Sequence, residues 1–310
     1  MAGERIGVVG LGVMGEPICA NIARKSGSPV IAYDIRPEPL ERLRAAGVAA
    51  ASSIADLVER STIVMLSLPS GREVAALCDG ATGIVALARP GQMIVDLGTS
   101  PVALARDLAR RLAAKGVAFA DAPVARTRQA AQRGTLSIMV GADAAAFARI
   151  EPVLRCCASE ISHCGDVGAG QFVKIMNNMI LFQTGVALAE ALALARRNGI
   201  DAALLFDTLA KGSADSFALR NHGIKAMLPG VFPEQAFSAA YALKDIGYAL
   251  ALADEAGLAL PGAALARDLL RRTIDSGQGD SYWPALATIV AGLDLPAAGS
   301  PISDVHTAKP

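Results

Sequence analysis

Ile6-Gly7-Val8-Val9-Gly10-Leu11-Gly12-Val13-Met14-Gly15 decides the fold, because a short apolar run passes directly into three glycines spaced G-x-G-x-x-G. The run reads as a buried strand and the glycines as the turn into a helix. In such a turn the first glycine permits a tight bend, the second lets a pyrophosphate reach the backbone, and the third brings helix close to strand. Gly10, Gly12 and Gly15 fill those places, with Val13 and Met14 between them. Unpaired N–H groups and the positive end of the helix dipole favour an anion there without a lysine. The motif alone is weak, since tight packing also selects glycine-rich turns, but its setting strengthens it. A second apolar run, Val30 to Tyr33, ends at Asp34, about 20 residues beyond the glycines, where a carboxylate can bond ribose hydroxyls. The expected cofactor is NAD. NADP is disfavoured because Asp34 would repel a 2′-phosphate, although Arg36 partly counters that repulsion. The alternative for Asp34 is a helix cap after a strand.

Outward from this turn, short apolar runs alternate with helical patterns: Ile6 to Val9, Val30 to Tyr33, Thr62 to Leu68, Met93 to Leu97, Val117 to Ala120 and Leu136 to Val140. This βαβ rhythm predicts an α/β fold, a Rossmann-type doubly wound sheet over residues 1–164. Ligands of such sheets sit beyond the carboxyl ends of the strands. Those ends carry Leu68 and Pro69, which offer an apolar lid to the cofactor, and Thr99, which offers a hydroxyl; each is equally compatible with ordinary loop chemistry. After Gly165-Asp166-Val167-Gly168-Ala169-Gly170 the strand pattern stops. A long helix over about 171–198 is expected to join the sheet to an all-helical domain, 165–296, followed by a flexible tail, 297–310. An Ala-rich helical half of this size predicts a subunit interface, hence a homodimer or homotetramer.

Composition narrows the function classes. Of 310 residues, 53% are hydrophobic and 19% charged, and 29 basic residues balance 29 acidic ones. With zero formal net charge, no global field recruits nucleic acid or an anionic membrane. The apolar stretch Gly185 to Ala195 is broken by Glu190, so no membrane span is expected, and the absence of a signal-peptide pattern predicts a cytoplasmic protein. Five cysteines do not suggest a disulfide framework. Cys156, Cys157, His163 and Cys164 invite a zinc reading, but adjacent cysteines do not readily face one tetrahedral centre and no CxxC spacing occurs; no metal is expected. Glu160 to His163 reads instead as a short strand closing the sheet.

Lys174, Asn177 and Asn178 stand in an apolar helical context, and Lys174 and Asn178, four apart, share one face. They can converge on a small molecule; alternatively the lysine snorkels and the amides bond neighbouring loops. With Asp121-Ala122-Pro123-Val124, Gly134-Thr135-Leu136, Met139-Val140-Gly141, Gly170 and Lys244-Asp245, the chain resembles the β-hydroxyacid dehydrogenase family over nearly its whole length. The resemblance implies a Rossmann domain followed by a helical domain, Lys174 as the catalytic residue and Asn178 as a substrate holder. Lys244 and Asp245 resemble the family's site-closing pair, Lys244 towards the cofactor and Asp245 towards the substrate. The chemistry agrees: hydride transfer to a carbonyl develops negative charge on oxygen, which an ammonium group can stabilise and protonate. The reverse reaction requires a lysine pKa lowered by burial or a neighbouring cation.

Two departures bear on the substrate. Where the family usually has Pro-Val-Ser-Gly-Gly, this chain reads Pro123-Val124-Ala125-Arg126-Thr127. Arg126 and Thr127 are expected to grip an acidic group through several bonds, and the pattern is similar to the sulfolactaldehyde reductase branch, which reduces a sulfonate-bearing aldehyde. Arg128 and Arg133 read as solvated. Near the other end, Tyr282 and Pro284 stand where the family more often has an acidic residue and a serine. Trp283 between them reads as a core anchor, or else as a pocket wall. Ser213, Asp215 and Phe217 are further candidates to border the substrate. The expected partner is a small anionic aldehyde or hydroxy acid, either the sulfonate or a 3-hydroxyisobutyrate or tartronate semialdehyde type. Imine reductases share the plan but lack the lysine, and a non-catalytic nucleotide-binding module is the competing reading of a different class.

Overall fold

The structure, a computed structural model, describes residues 3–234 and 236–292. The expected tail, 297–310, and the end of the expected helical half, 293–296, lie outside the described residues. Nine strands form one sheet: β1 (Ile6–Val9), β2 (Val30–Tyr33), β3 (Ala49–Ala50), β4 (Ile63–Leu66), β5 (Met93–Asp96), β6 (Ala118–Asp121), β7 (Val124–Ala125), β8 (Leu136–Gly141) and β9 (Ala158–Gly165). Their order is β3-β2-β1-β4-β5-β6-β8-β7, with β9 paired to β8. From β3 to β6 every pairing is parallel; β8 then runs antiparallel to β6 and β7 and parallel to β9.

Residue alternation explains why these strands read as continuous apolar runs. Ile6, Val8, Ile63, Met65, Met93 and Val95 enter the core on one face. Val9, Val64, Leu66 and Ile94 enter the core on the other. Both faces are buried under crossover helices, so neither set can be polar. The helices are α1 (Gly15–Lys25), α2 (Pro37–Arg44), α3 (Ile54–Arg60), α4 (Gly71–Cys78), α5 (Ile84–Leu87), α6 (Val102–Ala113), α7 (Arg128–Arg133) and α8 (Ala144–Leu154). The six expected strands appear within two residues of their expected bounds. The strand expected over Glu160 to His163 is longer, and β3 and β7, two residues each, were not expected.

Beyond Gly165 the described elements are helical: α9 (Ala169–Arg197), α10 (Ala202–Leu209), a π-helical segment (Leu219–Met227), α11 (Ala239–Glu255), α12 (Pro261–Thr273) and α13 (Leu286–Ala291), with short π and 3-10 turns before α13. α9 is long and apolar enough by length and composition to cross a membrane. Its buried face is instead taken up by protein, against β8 and β9 at one end and α11, α12 and α13 further along. A separate core of Phe182, Leu192, Phe206, Leu270 and Trp283 holds the helical half. Trp283 is fully buried, and a Cβ on Gly185 of α9 would collide with its ring, so the core reading of this tryptophan applies and the helix needs glycine at that turn.

The start of α9 is fixed by a buried carboxylate. Gly168 N–H donates to Asp121 Oδ1 (2.7 Å) and Gln171 N–H to Asp121 Oδ2 (2.6 Å). These are N–H groups that a helix leaves without internal partners, and an anion there also answers the helix dipole. The approach is so close that a Cβ on Gly170 would lie 2.8 Å from the Asp121 carbonyl oxygen, and one on Gly141 2.5 Å from Asp121 Oδ1. Gln171 completes the join. Its amide donates to Gly98 O (2.9 Å) and accepts from Ser100 N–H (3.0 Å), beyond the end of β5. Asp121→Ala is expected to leave two buried N–H groups unpaired, at about 1–3 kcal/mol each. Thermal denaturation should show a Tm lower by several degrees, and an unchanged Tm would show that the cap contributes nothing.

Candidate active site

A cleft of about 1370 Å³ opens over the carboxyl ends of β1, β4 and β5 and continues onto α9 and α11. It lies at the point where the strand order reverses, between β1 and β4. Each glycine of the opening motif has a different constraint. Gly10 has φ +87°, and a Cβ there would strike the Ser67 carbonyl oxygen. A Cβ on Gly15 would strike the Gly10 carbonyl oxygen, so helix and turn touch. A Cβ on Gly12 would meet nothing within 4 Å, and Gly12 borders the cleft. The side of the turn that faces the cleft is therefore open to a ligand. α1 begins at this turn with no side-chain cap, whereas Ser53 and Ser70 cap α3 and α4. Glu16 N–H is taken by Gly12 O (3.2 Å) and Pro17 has no N–H, so the donors left to an anion are those of the turn itself, where Gly12, Val13 and Met14 line the cleft.

Asp34 is held beside the turn: Leu11 N–H donates to Oδ2 (2.6 Å) and Arg36 N–H to Oδ1 (2.9 Å). A carboxylate retains lone pairs after two such bonds, as ribose hydroxyls require. The Arg36 guanidinium folds back to 3.4 Å from Asp34. Val13, Met14, Leu68, Pro69 and Thr99 line the same cleft, while Gly15 lies behind it. The residues present therefore fit a dinucleotide. Among the described residues no group of three His, Cys, Asp or Glu is arranged to hold a metal ion. His163 stacks on Phe147 and bonds the Ala142 carbonyl (2.7 Å), and the Cys157 thiol donates to Leu154 O (3.3 Å).

The long helix brings Lys174 and Asn178 to the cleft, both buried, one turn apart. Asn178 is held at both ends of its amide. Its Oδ1 accepts from Asn177 Nδ2 (3.1 Å), and its Nδ2 donates to Asp245 Oδ2 (2.7 Å). Lys244 Nζ lies 2.9 Å from Asp245 Oδ1 and donates to Pro69 O (3.0 Å) and Thr99 O (3.3 Å). It sits 5.7 Å and 5.3 Å from the Tyr241 and Tyr248 ring centroids, within cation–π range. Lys244 thus ties α11 to the two loops that follow β4 and β5. The Lys174 amine is lowered to about 8, chiefly by burial. The Asp245 carboxylate opposes the shift and the Lys244 ammonium adds to it. An amine so tuned can carry or release a proton near neutral pH.

The loop after β6 brings Arg126 and Thr127 to the cleft on an unusual backbone. Arg126 has φ +84°, the one non-glycine residue with positive φ among those described, at a position where the resembled family has glycine. Left-handed backbone costs an L-residue roughly 1–2 kcal/mol. The Arg126 side chain offsets this by bonding the sheet edge, its Nη1 donating to Thr135 O (2.7 Å) and Ser159 Oγ (2.8 Å). Arg126 borders the cleft, but this guanidinium nitrogen is committed to the protein rather than left for an anion. Thr127 also borders the cleft, and its Oγ1 caps α7 by accepting from Ala130 N–H (3.3 Å). Arg128 is exposed at the cleft rim.

Sequence reasoning missed one pair. Tyr282 OH and His222 Nδ1 are 2.5 Å apart and both residues line the cleft. Burial pushes the Tyr282 phenol up to about 12 and the imidazole down to about 4, the latter helped by the Lys225 charge, so both are neutral. The tyrosine was legible only as a departure from the family, and the histidine carried no spacing signal. Of the loop candidates, Phe217 lines the cleft with Ser216; Ser213 and Asp215 do not, and Asp215 pairs with Arg220 (2.7 Å).

Comparison with known proteins places this geometry. Residues 5–165 match the model of the NAD binding domain of 6-phosphogluconate dehydrogenase, and residues 168–289 that of the NAD-binding region of NADP-dependent 3-hydroxyisobutyrate dehydrogenase. A 3-hydroxyisobutyrate dehydrogenase of Pseudomonas aeruginosa is 38% identical, over 85% of this chain and 90% of its own length. A 2-(hydroxymethyl)glutarate dehydrogenase of Eubacterium barkeri is 34% identical over 89% and 92%. The solved structure of Mycobacterium tuberculosis 3-hydroxyisobutyrate dehydrogenase with L-serine superposes with a TM-score of 0.83, at 31% identity, covering 93% of this chain and 99% of that one. Within the cleft itself, Tyr282→Phe would strand the His222 Nδ1 atom, at about 1–3 kcal/mol. Urea denaturation should show the midpoint fall at constant slope, and an unmoved midpoint would mean that the pair adds nothing to stability.

Proposed function

Because the chain belongs to the β-hydroxyacid dehydrogenase family, as an NAD(P)-dependent oxidoreductase acting on a CH–OH group, we propose that it interconverts a 3-hydroxy acid of the 3-hydroxyisobutyrate type and the matching aldehyde acid, with NAD preferred. The observation that carries this reading is Lys174, a buried amine lowered to about 8, one turn from the fixed amide of Asn178 and in the same cleft as the glycine turn. A bound nicotinamide supplies the hydride acceptor in oxidation and the donor in reduction. In oxidation, neutral Lys174 takes the hydroxyl proton as the carbonyl forms; in reduction, the ammonium form returns it to the new alkoxide oxygen. Asn178 and Thr127 orient the acid, and Asp245 holds Asn178 in place. Asp34, with its carboxylate fixed beside the turn, supports NAD over NADP. Support for a sulfonate-bearing aldehyde is reduced, since Arg126 Nη1 is bonded to Thr135 and Ser159 and only the remaining guanidinium donors are open to an anion. The names of the relatives favour carboxylates. Exposed Leu194, Ile200 and Leu204 support the homodimer or homotetramer as part of the same reading.

Oxidation of 3-hydroxyisobutyrate with NAD, followed at 340 nm, should rise with pH through an inflection near 8, because only the neutral amine accepts the proton. Asp245→Asn removes the charge that raises the Lys174 pKa and should move the inflection to lower pH. Lys174→Ala should abolish turnover while NAD binding persists, and turnover near the wild-type rate in that variant would overturn the mechanism. Arg126→Gly relieves the left-handed strain and deletes both edge bonds, and should leave KM for the acid within about threefold. A tenfold or greater rise, largest for a sulfonate substrate, would return the guanidinium to the binding site.

A further inference from the structure

Beyond Asn178 the cleft continues into the helical half, where nothing in the reaction just described has a use for it. Ile180, Leu181 and Thr184 line it from α9, the last of them about 9 Å past Asn178 at 1.5 Å per residue. Phe217, Phe237 and Tyr241 line it as well, from the segment before the π-helical stretch and from around the start of α11. Ile180, Phe217 and Tyr241 are 59%, 49% and 41% exposed, so their apolar surfaces are open to a ligand rather than filled by the core. The charged groups near Asn178, namely Lys174, Lys244 and Asp245, gather around that amide. Past it, the polar members are Thr184, Ser216, the Tyr241 hydroxyl and the Tyr282–His222 pair, none of them charged.

Such a wall discriminates by desolvation. An apolar group entering it leaves water behind, whereas a carboxylate entering it loses its hydration and meets only Lys244, 5.7 Å from the Tyr241 ring centroid and already engaged by Asp245, Pro69 and Thr99. We infer that this stretch is a second substrate subsite, which receives an uncharged apolar or aromatic substituent on the carbon between the carboxylate and the reacting CH–OH group. The preferred substrates are then 2-substituted 3-hydroxypropanoates bulkier than 3-hydroxyisobutyrate. The inference rests on the hydroxy-acid reading above and adds the class of side group. The Tyr282 hydroxyl, already bonded to His222, offers the subsite a polar contact for a group that carries one.

The test is a kcat/KM series with NAD for 3-hydroxypropanoates bearing methyl, ethyl, butyl, benzyl or carboxyethyl at carbon 2. The value is expected to climb by about tenfold or more from methyl to benzyl, with carboxyethyl at least about tenfold below butyl. Thr184→Trp, which fills the subsite from the helix, should cut the benzyl-to-methyl ratio by about tenfold, and Phe217→Ala, at an exposed position, should lower it as well. A maximum at methyl, parity of carboxyethyl with butyl, or a ratio untouched by both variants overturns the subsite while leaving the hydroxy-acid reading intact. No NADH from any of the five, in enzyme that binds NAD, overturns both.

Discussion

Everything at the site depends on the carboxylate of Asp121. By accepting from Gly168 and Gln171, it fastens the first turn of the 29-residue helix α9 to the end of β6. Lys174 follows three residues later and Asn178 four after that, so the helix geometry carries the position of the cap to both. Gln171 spreads the same constraint to β5 through Gly98 and Ser100, where Asp96 is also buried and bonded to Ser100 (2.6 Å). Burial raises the pKa of both carboxylates, that of Asp96 to about 6, and the two strands align them side by side. The cost of burying two neighbouring acids is met by backbone N–H groups, the Ser100 hydroxyl and a glutamine amide rather than by an arginine. A stiff join of this kind suits a reaction in which the proton-carrying amine must hold a fixed distance from a cofactor bound to the other half of the molecule.

Lys244 provides the second tie between the halves. It reaches from α11 to carbonyls after β4 and β5 and lies against two tyrosine rings, while Asp245 beside it grips Asn178. One dipeptide thus sets the mouth of the cleft and the orientation of the amide. The same two charges act on Lys174 in opposite senses, the carboxylate raising its pKa and the ammonium lowering it, while burial remains the largest cause.

Much of this was legible in the chain because the responsible forces are local. Strands buried on both faces must be apolar throughout, and Ile6–Val9, Val30–Tyr33 and Met93–Asp96 announce themselves that way. The glycine turn is legible for the same reason, since Gly10 and Gly15 answer to atoms within a few residues or on the adjacent strand. Two-residue strands such as Ala49–Ala50 are too short to have a period. The role of Asp121 was not read from its sequence, although Asp34, Asp96 and Asp121 each close or follow an apolar strand, a pattern that marks carboxylates turned onto backbone donors. The place of Arg126 at the cleft was legible as a charged side chain in a polar loop, but its bonds to Thr135 and Ser159 were not, because its direction follows from a left-handed backbone that sequence does not reveal. The Tyr282–His222 pair joins residues sixty apart and needed the fold itself.

Trp283 is the only tryptophan in the chain, and its indole ring lies 5.0 Å from His222, 6.4 Å from Tyr282 and against the bare backbone of Gly185. Its near neighbours on one side are the two residues whose hydrogen bond borders the cleft. All indole emission from this molecule therefore originates one side chain away from the ligand space, in a fully buried setting. The protein carries an intrinsic optical probe of that space, with no second indole to dilute its signal and no label needed to read it.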